Sequence, residues 1–282
     1  MTGCSPASSL GCSPDDVLAP GRSQLDITDE SAVASMAQGV DVVVNTAAWT
    51  AVDAAESAED AAHAVNALGA ERVARAARSA GARLVQISTD YVFDGAPGRP
   101  FAEDAIVNPT TAYGRSKAEG EARSVRAHPE GTTIVRTSWL YGRYGPSFPR
   151  SIAAGLAEHG AVDVVDDQHG QPTWARDVAR SVIDLMGAGV SVGTFHATGG
   201  GQATWFEFAA RVATSLGYPD DAVRPIATDS AARAAPRPRW SVLAHGTWGD
   251  AGLAAPRPWR DMLDDALPDL ALTAATVRNG TP

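Results

Sequence analysis

The amino-acid sequence predicts an α/β chain built on a Rossmann-like, doubly wound parallel sheet. Short apolar runs at 41–45, 83–88, 132–136 and 193–197 alternate with longer segments of helical periodicity. The run Asp41-Val42-Val43-Val44-Asn45 is compact and β-branched, as expected of a buried parallel strand. Three runs end in small, hydroxyl-bearing or aromatic residues: Asn45-Thr46-Ala47-Ala48, Ser88-Thr89-Asp90-Tyr91 and Thr137-Ser138-Trp139. Ligands of open parallel sheets bind beyond the carboxyl ends of the strands, so these three ends converge on one edge.

In order, residues 1–21 are rich in Ser, Pro and Gly and read as loop, with a short strand expected at Val17-Leu18-Ala19. Thr28 or Asp29 caps a helix through Met36. Residues 57–80 are Ala-rich with helical spacing. Ser57 and Asp60 mark the start, and Gly81 the stop. The 113–127 segment is a helix between the second and third strands. Beyond it, 147–159 is helical, 162–165 a strand, 166–173 a polar loop, and 174–186 a helix. Thr204 and Glu207 form a capping box for a helix to about Leu216. The spacing divides the chain into a Rossmann-like domain over 1–146 and a mostly substrate-binding domain over 147–282, with 161–199 partly returning to the sheet. The tail after Leu272 reads as frayed.

Composition excludes several classes. A net charge of −10 without a basic stripe argues against a nucleic-acid surface. Two cysteines, Cys4 and Cys12, are too few for a disulfide framework and fit a reducing cytoplasm. There is no Cys/His set at zinc spacing, no apolar run of membrane-spanning length and no secretory signal.

The chemistry gathers in 84–117. Tyr113 and Lys117, four residues apart on one helix face, stand opposite the hydroxyl-rich end of the second strand. A free tyrosine titrates near about 10, and a cation one turn away favours the phenolate. Thr89 is placed to hydrogen-bond the phenol or a substrate oxygen, although a strand-end turn cap is its commoner role. Trp139 reads equally as a platform for a flat ligand or as a core aromatic. Arg233, Arg237 and Arg239 are a phosphate grip or, more commonly, a solvated loop. Asp53, Glu56, Glu59 and Asp60 read as a charged helix start. The six histidines form no ligand-spaced set and read mostly as solvent or loop residues; His169, between Asp166-Asp167 and Pro172, is the exception.

Together LDITD, VVNTAAWTAVDAAE, QISTDYVFDG, NPTTAYGRSKAEGE, VRTSWLYG, DDQHGQPT, GTFHATG and RPRWSVL, in that order, resemble the extended short-chain dehydrogenase/reductase family, in its dTDP-4-dehydrorhamnose reductase branch. The resemblance spans about 25–265 and implies a role for each matching position. Tyr113 is the proton donor to a 4-keto oxygen. Lys117 lowers its pKa and holds the nicotinamide ribose. Thr89 tunes Tyr113 and contacts the sugar, with Asp90 and Tyr91 beside it. Asp26 and Ile27 flank the adenine, Thr46, Ala47 and Ala48 line the cofactor, and Trp139 packs on the sugar nucleotide. The implied reaction is hydride transfer from NADPH or NADH to a dTDP-sugar substrate. The implied partners include neither nucleic acid nor membrane. A homodimer is an open expectation. Mg2+ serves some relatives, but no carboxylate set here demands it. Arg22 is a candidate for a 2′-phosphate, or simply a loop arginine.

The family pattern also begins with a central strand and a GxxGxxG turn that cradles pyrophosphate. Nothing before Leu25 matches it well; Thr2-Gly3 and Leu10-Gly11 are a faint trace. Two expectations follow from that departure. Either the true start lies upstream or the frame is altered, or the chain is a variant with weak NADPH binding and a gap in its core. The second resembles the non-catalytic regulatory subunit of methionine adenosyltransferase, and the intact Thr89, Tyr113 and Lys117 set argues against it.

Overall fold

The computed structural model describes residues 17–96, 98–230, 233–270 and 272. The faint Gly-rich trace at Thr2-Gly3 and Leu10-Gly11 lies outside them. Val17 and Leu18 are exposed coil rather than a strand.

Helix α1 (Glu30–Met36) starts where the Asp29 carboxylate accepts the Ser31 and Ala32 N–H groups, each at 3.0 Å. Strand β1 (Val42–Asn45) follows. A short helix α2 (Val52–Ala55) comes next, and the single long helix expected over 57–80 is instead α3 (Glu59–His63) and α4 (Ala70–Ala80) joined by a π-turn over Ala64–Gly69. Ser57 caps nothing; its hydroxyl donates back to the Ala54 carbonyl at 3.2 Å. Gly81 ends α4 in the left-handed region at φ 73°. Strand β2 (Arg83–Thr89), helix α5 (Ala112–Ala127) and strand β3 (Thr132–Thr137) complete this half.

The second half holds β4 (Leu140–Tyr141), α6 (Phe148–His159), β5 (Val162–Val165), β6 (His169–Gly170), β7 (Thr173–Trp174), α7 (Ala175–Gly187), β8 (Gly193–His196) and β9 (Ala203–Thr204). Helix α8 (Trp205–Ser215) opens with the predicted capping box. Then come β10 (Val223–Ile226), α9 (Gly246–Asp250) and α10 (Trp259–Leu270).

The main sheet is parallel, in the order β1-β2-β3-β8. Of the 161–199 stretch, β8 joins it, while β5 pairs with β10 in a separate two-stranded sheet. Strand β1 is the sheet's edge among the described residues. It is only half covered, with Val44 43% exposed, where the β-branched run predicted burial. One sheet face packs Leu84 against Val33, Val73 and Ala77 of α1 and α4. The other packs Val85, Val135 and Phe195 against Val182 and Leu185 of α7. A third core, around Phe208, Leu156, Trp259 and Leu263, belongs to the second half.

A strap over 239–244 joins the halves. Phe101 N–H donates to the Val242 carbonyl at 2.9 Å, and Ala244 N–H returns the bond to Phe101 at 2.8 Å. His169 and Ser241 are tied through the Arg239 and His169 carbonyls. Among the described residues no helix is long and apolar enough to cross a membrane, and no group of three or more His, Cys, Asp or Glu side chains is placed to hold a metal ion.

Candidate active site

Helix α5 begins at Thr111, whose hydroxyl accepts the Gly114 N–H at 3.0 Å. That start sets Tyr113 and Lys117 on the face toward the end of β2. The approach is close because position 114 has no side chain: a Cβ there would lie 2.2 Å from the Tyr91 carbonyl oxygen. Tyr113 is buried and meets Tyr91 edge to face, with ring centroids 5.6 Å apart.

Thr89 connects the two sides. Its hydroxyl donates to Asp90 Oδ1 at 2.9 Å, and it lies beside the Tyr113 phenol, where it favours the phenolate. Thr89 also caps the turn Asp90–Val92 by accepting the Tyr91 N–H at 3.3 Å.

Burial sets the titration of this cluster. It pushes Tyr113 up to about 12, with Thr89 opposing and the Asp90 charge adding to the rise. It raises Asp90 to about 6, against the hydroxyls of Ser241 and Thr89, and Asp90 Oδ2 keeps no partner of good geometry. It lowers Lys117 to about 8, with Glu121 opposing. The expected effect of Lys117 on the phenol is not what this geometry provides. Lys117 Nζ donates to the Ile87 carbonyl at 2.7 Å, and no cation is among the groups that move Tyr113.

Asn66, which sequence reasoning missed, orders the neighbouring loop. Its amide takes the Trp49 N–H at 2.8 Å and donates to the Trp49 carbonyl at 3.1 Å and to Ser116 Oγ at 2.9 Å. Ser116 in turn donates to the Tyr113 carbonyl at 2.8 Å. Two signals in the sequence pointed here: a lone amide in an Ala-rich helix, and Gly114 with Gly120 inside another helix. Helical glycine costs about 1 kcal/mol against alanine, so it usually marks a close approach.

The loop held by Asn66 leaves Thr46 and Ala47 exposed and Ala48 half-buried at the end of β1. Asp26 is exposed, and its carboxyl is held below the usual range by the Thr28 backbone and hydroxyl, each bonded at 2.8 Å. Ile27 turns the other way, into the core; a Cβ at Gly69 would sit 2.8 Å from its Cδ1. The expected adenine pair is therefore split, with Asp26 alone facing out. An ionised carboxylate, small open residues and a buried lysine fit the ribose and nicotinamide portions of a dinucleotide.

Trp139 has φ 45°, the one positive value outside glycine among the described residues, at a cost of about 1–2 kcal/mol. It stacks on Trp205 at 3.6 Å rather than standing free as a platform. Asp53 stands in the first turn of α2 and Glu59 and Asp60 in that of α3, the charged helix starts expected, and they also tie elements together: Arg237 pairs with Asp53, Glu59 with Arg115, and Glu56 accepts the Ala112 N–H. His169 lies in the strap ladder beside Trp240. His196, expected at the surface, is fully buried and pushed down to about 3, with burial and Arg136 as the causes.

The family described as RmlD substrate binding domain matches residues 9–272. A dTDP-4-dehydrorhamnose reductase of Streptomyces griseus is 45% identical over 260 residues, covering 90% of this chain and 86% of its own. A dTDP-4-keto-6-deoxy-D-glucose reductase of Streptomyces niveus is 44% identical over 256 residues, covering 90% and 88%. Among solved structures, a dTDP-4-dehydrorhamnose reductase of Bacillus anthracis in complex with NADP superposes with a TM-score of 0.84 at 35% identity, covering 88% of each chain.

Proposed function

This chain belongs to the RmlD substrate binding domain family, and we propose that it reduces the 4-keto group of dTDP-4-dehydro-L-rhamnose to give dTDP-L-rhamnose, with NADPH or NADH as reductant. The observation that carries the reading is the buried cluster of Tyr113, Thr89 and Asp90, with Thr89 bonded to Asp90 and Lys117 one helical turn from Tyr113.

The dinucleotide supplies the hydride when bound. The chain's own residues handle the proton and the geometry. A phenol held near about 12 stays protonated through neutral pH, so Tyr113 is in its donating form whenever negative charge grows on the 4-oxygen. Thr89, beside the phenol, offers its hydroxyl to the substrate oxygen by turning its proton from Asp90. Lys117, held at the Ile87 carbonyl one helical turn from Tyr113, presents an ammonium that suits a ribose hydroxyl. Asp26 accepts from the adenosine ribose, and Thr46, Ala47 and Ala48 leave room for the ring system. Asp90, Tyr91 and Trp139 border the sugar.

The test is NADPH consumption with dTDP-4-dehydro-L-rhamnose and, in parallel, with dTDP-4-keto-6-deoxy-D-glucose, each product identified by chromatography. The first substrate is expected to be preferred. Tyr113→Phe is expected to lower kcat by ~10²–10⁴-fold with an unchanged circular dichroism spectrum. Full activity in that variant would remove Tyr113 from the mechanism.

A further inference from the structure

The aromatic pair at the end of β3 carries an inference that rests on the reading just given. Trp205 lies over Trp139 with centroids 3.6 Å apart and planes 9° from parallel, so one face of the Trp139 indole is fully covered. Gly170 meets the indole at its outer edge: a Cβ built there would lie 2.4, 2.5 and 2.6 Å from Cε2, Cζ2 and Nε1, three contiguous atoms of the rim.

The two jaws are one unit. Gly170 ends β6 and Trp205 follows β9, and β6 pairs with β9 in the register His169 to Thr204 and Gly170 to Ala203. Thr204 fixes the helix start through its box with Glu207 and also donates to Asp166 Oδ1 at 2.6 Å. Phe148 backs Trp205 at 4.5 Å. The left-handed backbone of Trp139 is thus accompanied by a side chain held at one face by Trp205 and at its edge by Gly170.

We propose that Trp205 is a positioning residue which, with Gly170 at the Nε1–Cζ2 edge, clamps the Trp139 indole so that its stacked face and that edge are closed to the nucleotide sugar. Trp139 then meets the sugar with the surface the clamp leaves open. The small side chain at 170 and the aromatic at 205 are both required for that placement.

The experiment compares Trp205→Ala, Trp205→Phe and Gly170→Ala. It reads the far-ultraviolet exciton couplet of the stacked indoles, KM and kcat for the 4-keto sugar nucleotide, and the affinities for dTDP-L-rhamnose and NADPH. Trp205→Ala is expected to abolish the couplet and raise KM and the dTDP-L-rhamnose Kd by roughly tenfold, with kcat and NADPH affinity little changed. Trp205→Phe loses the couplet but restores KM. Gly170→Ala keeps both tryptophans, distorts the couplet and raises KM. A wild-type protein without the couplet, or Trp205→Ala with unchanged KM, overturns the clamp. A wild type that binds no dTDP-sugar while keeping the couplet overturns the proposed function, and this role with it.

Discussion

Asp90 is the residue whose placement is hardest to reconcile with a merely structural strand end. Its carboxyl is 3% exposed and burial raises its pKa from 3.8 to about 6. In the unfolded chain it titrates normally, so the folded state favours the protonated form. That contribution is complete below pH 3.8 and is lost as pH rises through about 6, a change worth about 3 kcal/mol. Asp90→Asn keeps the acceptor for Thr89 and carries no charge. Urea denaturation between those pH values should therefore show a stability decline in the wild type that is absent from the variant. Parallel declines in both would refute the assignment. The site itself was largely legible at this scale: Tyr113, Lys117 and Thr89 are encoded by helical period and strand-end position, both local properties. Which group Lys117 meets was not, because the Ile87 carbonyl that takes its proton is 30 residues away.

At the scale of elements, alternating apolar runs and helical segments gave the strands and their parallel order, since both patterns come from burial on a regular period. The break in the 57–80 helix escaped that logic. The π-turn sits where α5 crosses it, and position 120 allows the contact: a Cβ there would lie 2.1 Å from the Asn66 carbonyl oxygen. Nothing within the 64–69 segment encodes a neighbour fifty residues on. Gly120→Ala weighs two effects. Helix propensity favours alanine by about 1 kcal/mol, while backbone cannot yield to the methyl as a side chain would, at about 1–3 kcal/mol. The clash wins, so a net loss of thermal stability is expected, with weaker NADPH binding because Asn66 holds the Trp49 loop. A Tm at or above that of the wild type would show that the helices separate freely.

Across the whole molecule, the strap and one ion pair add to the β3–β8 pairing and the α7 core in holding the second half against the first. Arg237 donates to both carboxylate oxygens of Asp53, at 3.0 and 2.6 Å, and Asp53 also accepts the Ala235 N–H at 3.0 Å. Arg237 read as a phosphate grip or a loop arginine because its partner lies 184 residues away, beyond any spacing rule. The pair keeps the Asp53 carboxyl below its ordinary range, chiefly through the Arg237 hydrogen bonds. Asp53 is 38% exposed, so solvent screens the attraction and the pair contributes about 1 kcal/mol despite its bidentate geometry. Its larger effect is geometric. Next along the chain, Pro238 sits against Gly95, where a Cβ would come within 2.5 Å, and Trp240 N–H donates to the Gly95 carbonyl at 3.2 Å. Releasing Arg237 loosens the segment that carries Ser241 to Asp90 and flanks His169. A double-mutant cycle of Asp53→Asn and Arg237→Met should give a coupling near about 1 kcal/mol in denaturation. In kinetics each single variant should raise KM for the sugar nucleotide more than it lowers kcat, because closure of the halves governs binding while Tyr113 and Thr89 stay seated on β2 and α5. Equal losses in kcat and KM for NADPH would instead locate the effect in the dinucleotide half, and would mean that the strap does not order the sugar side.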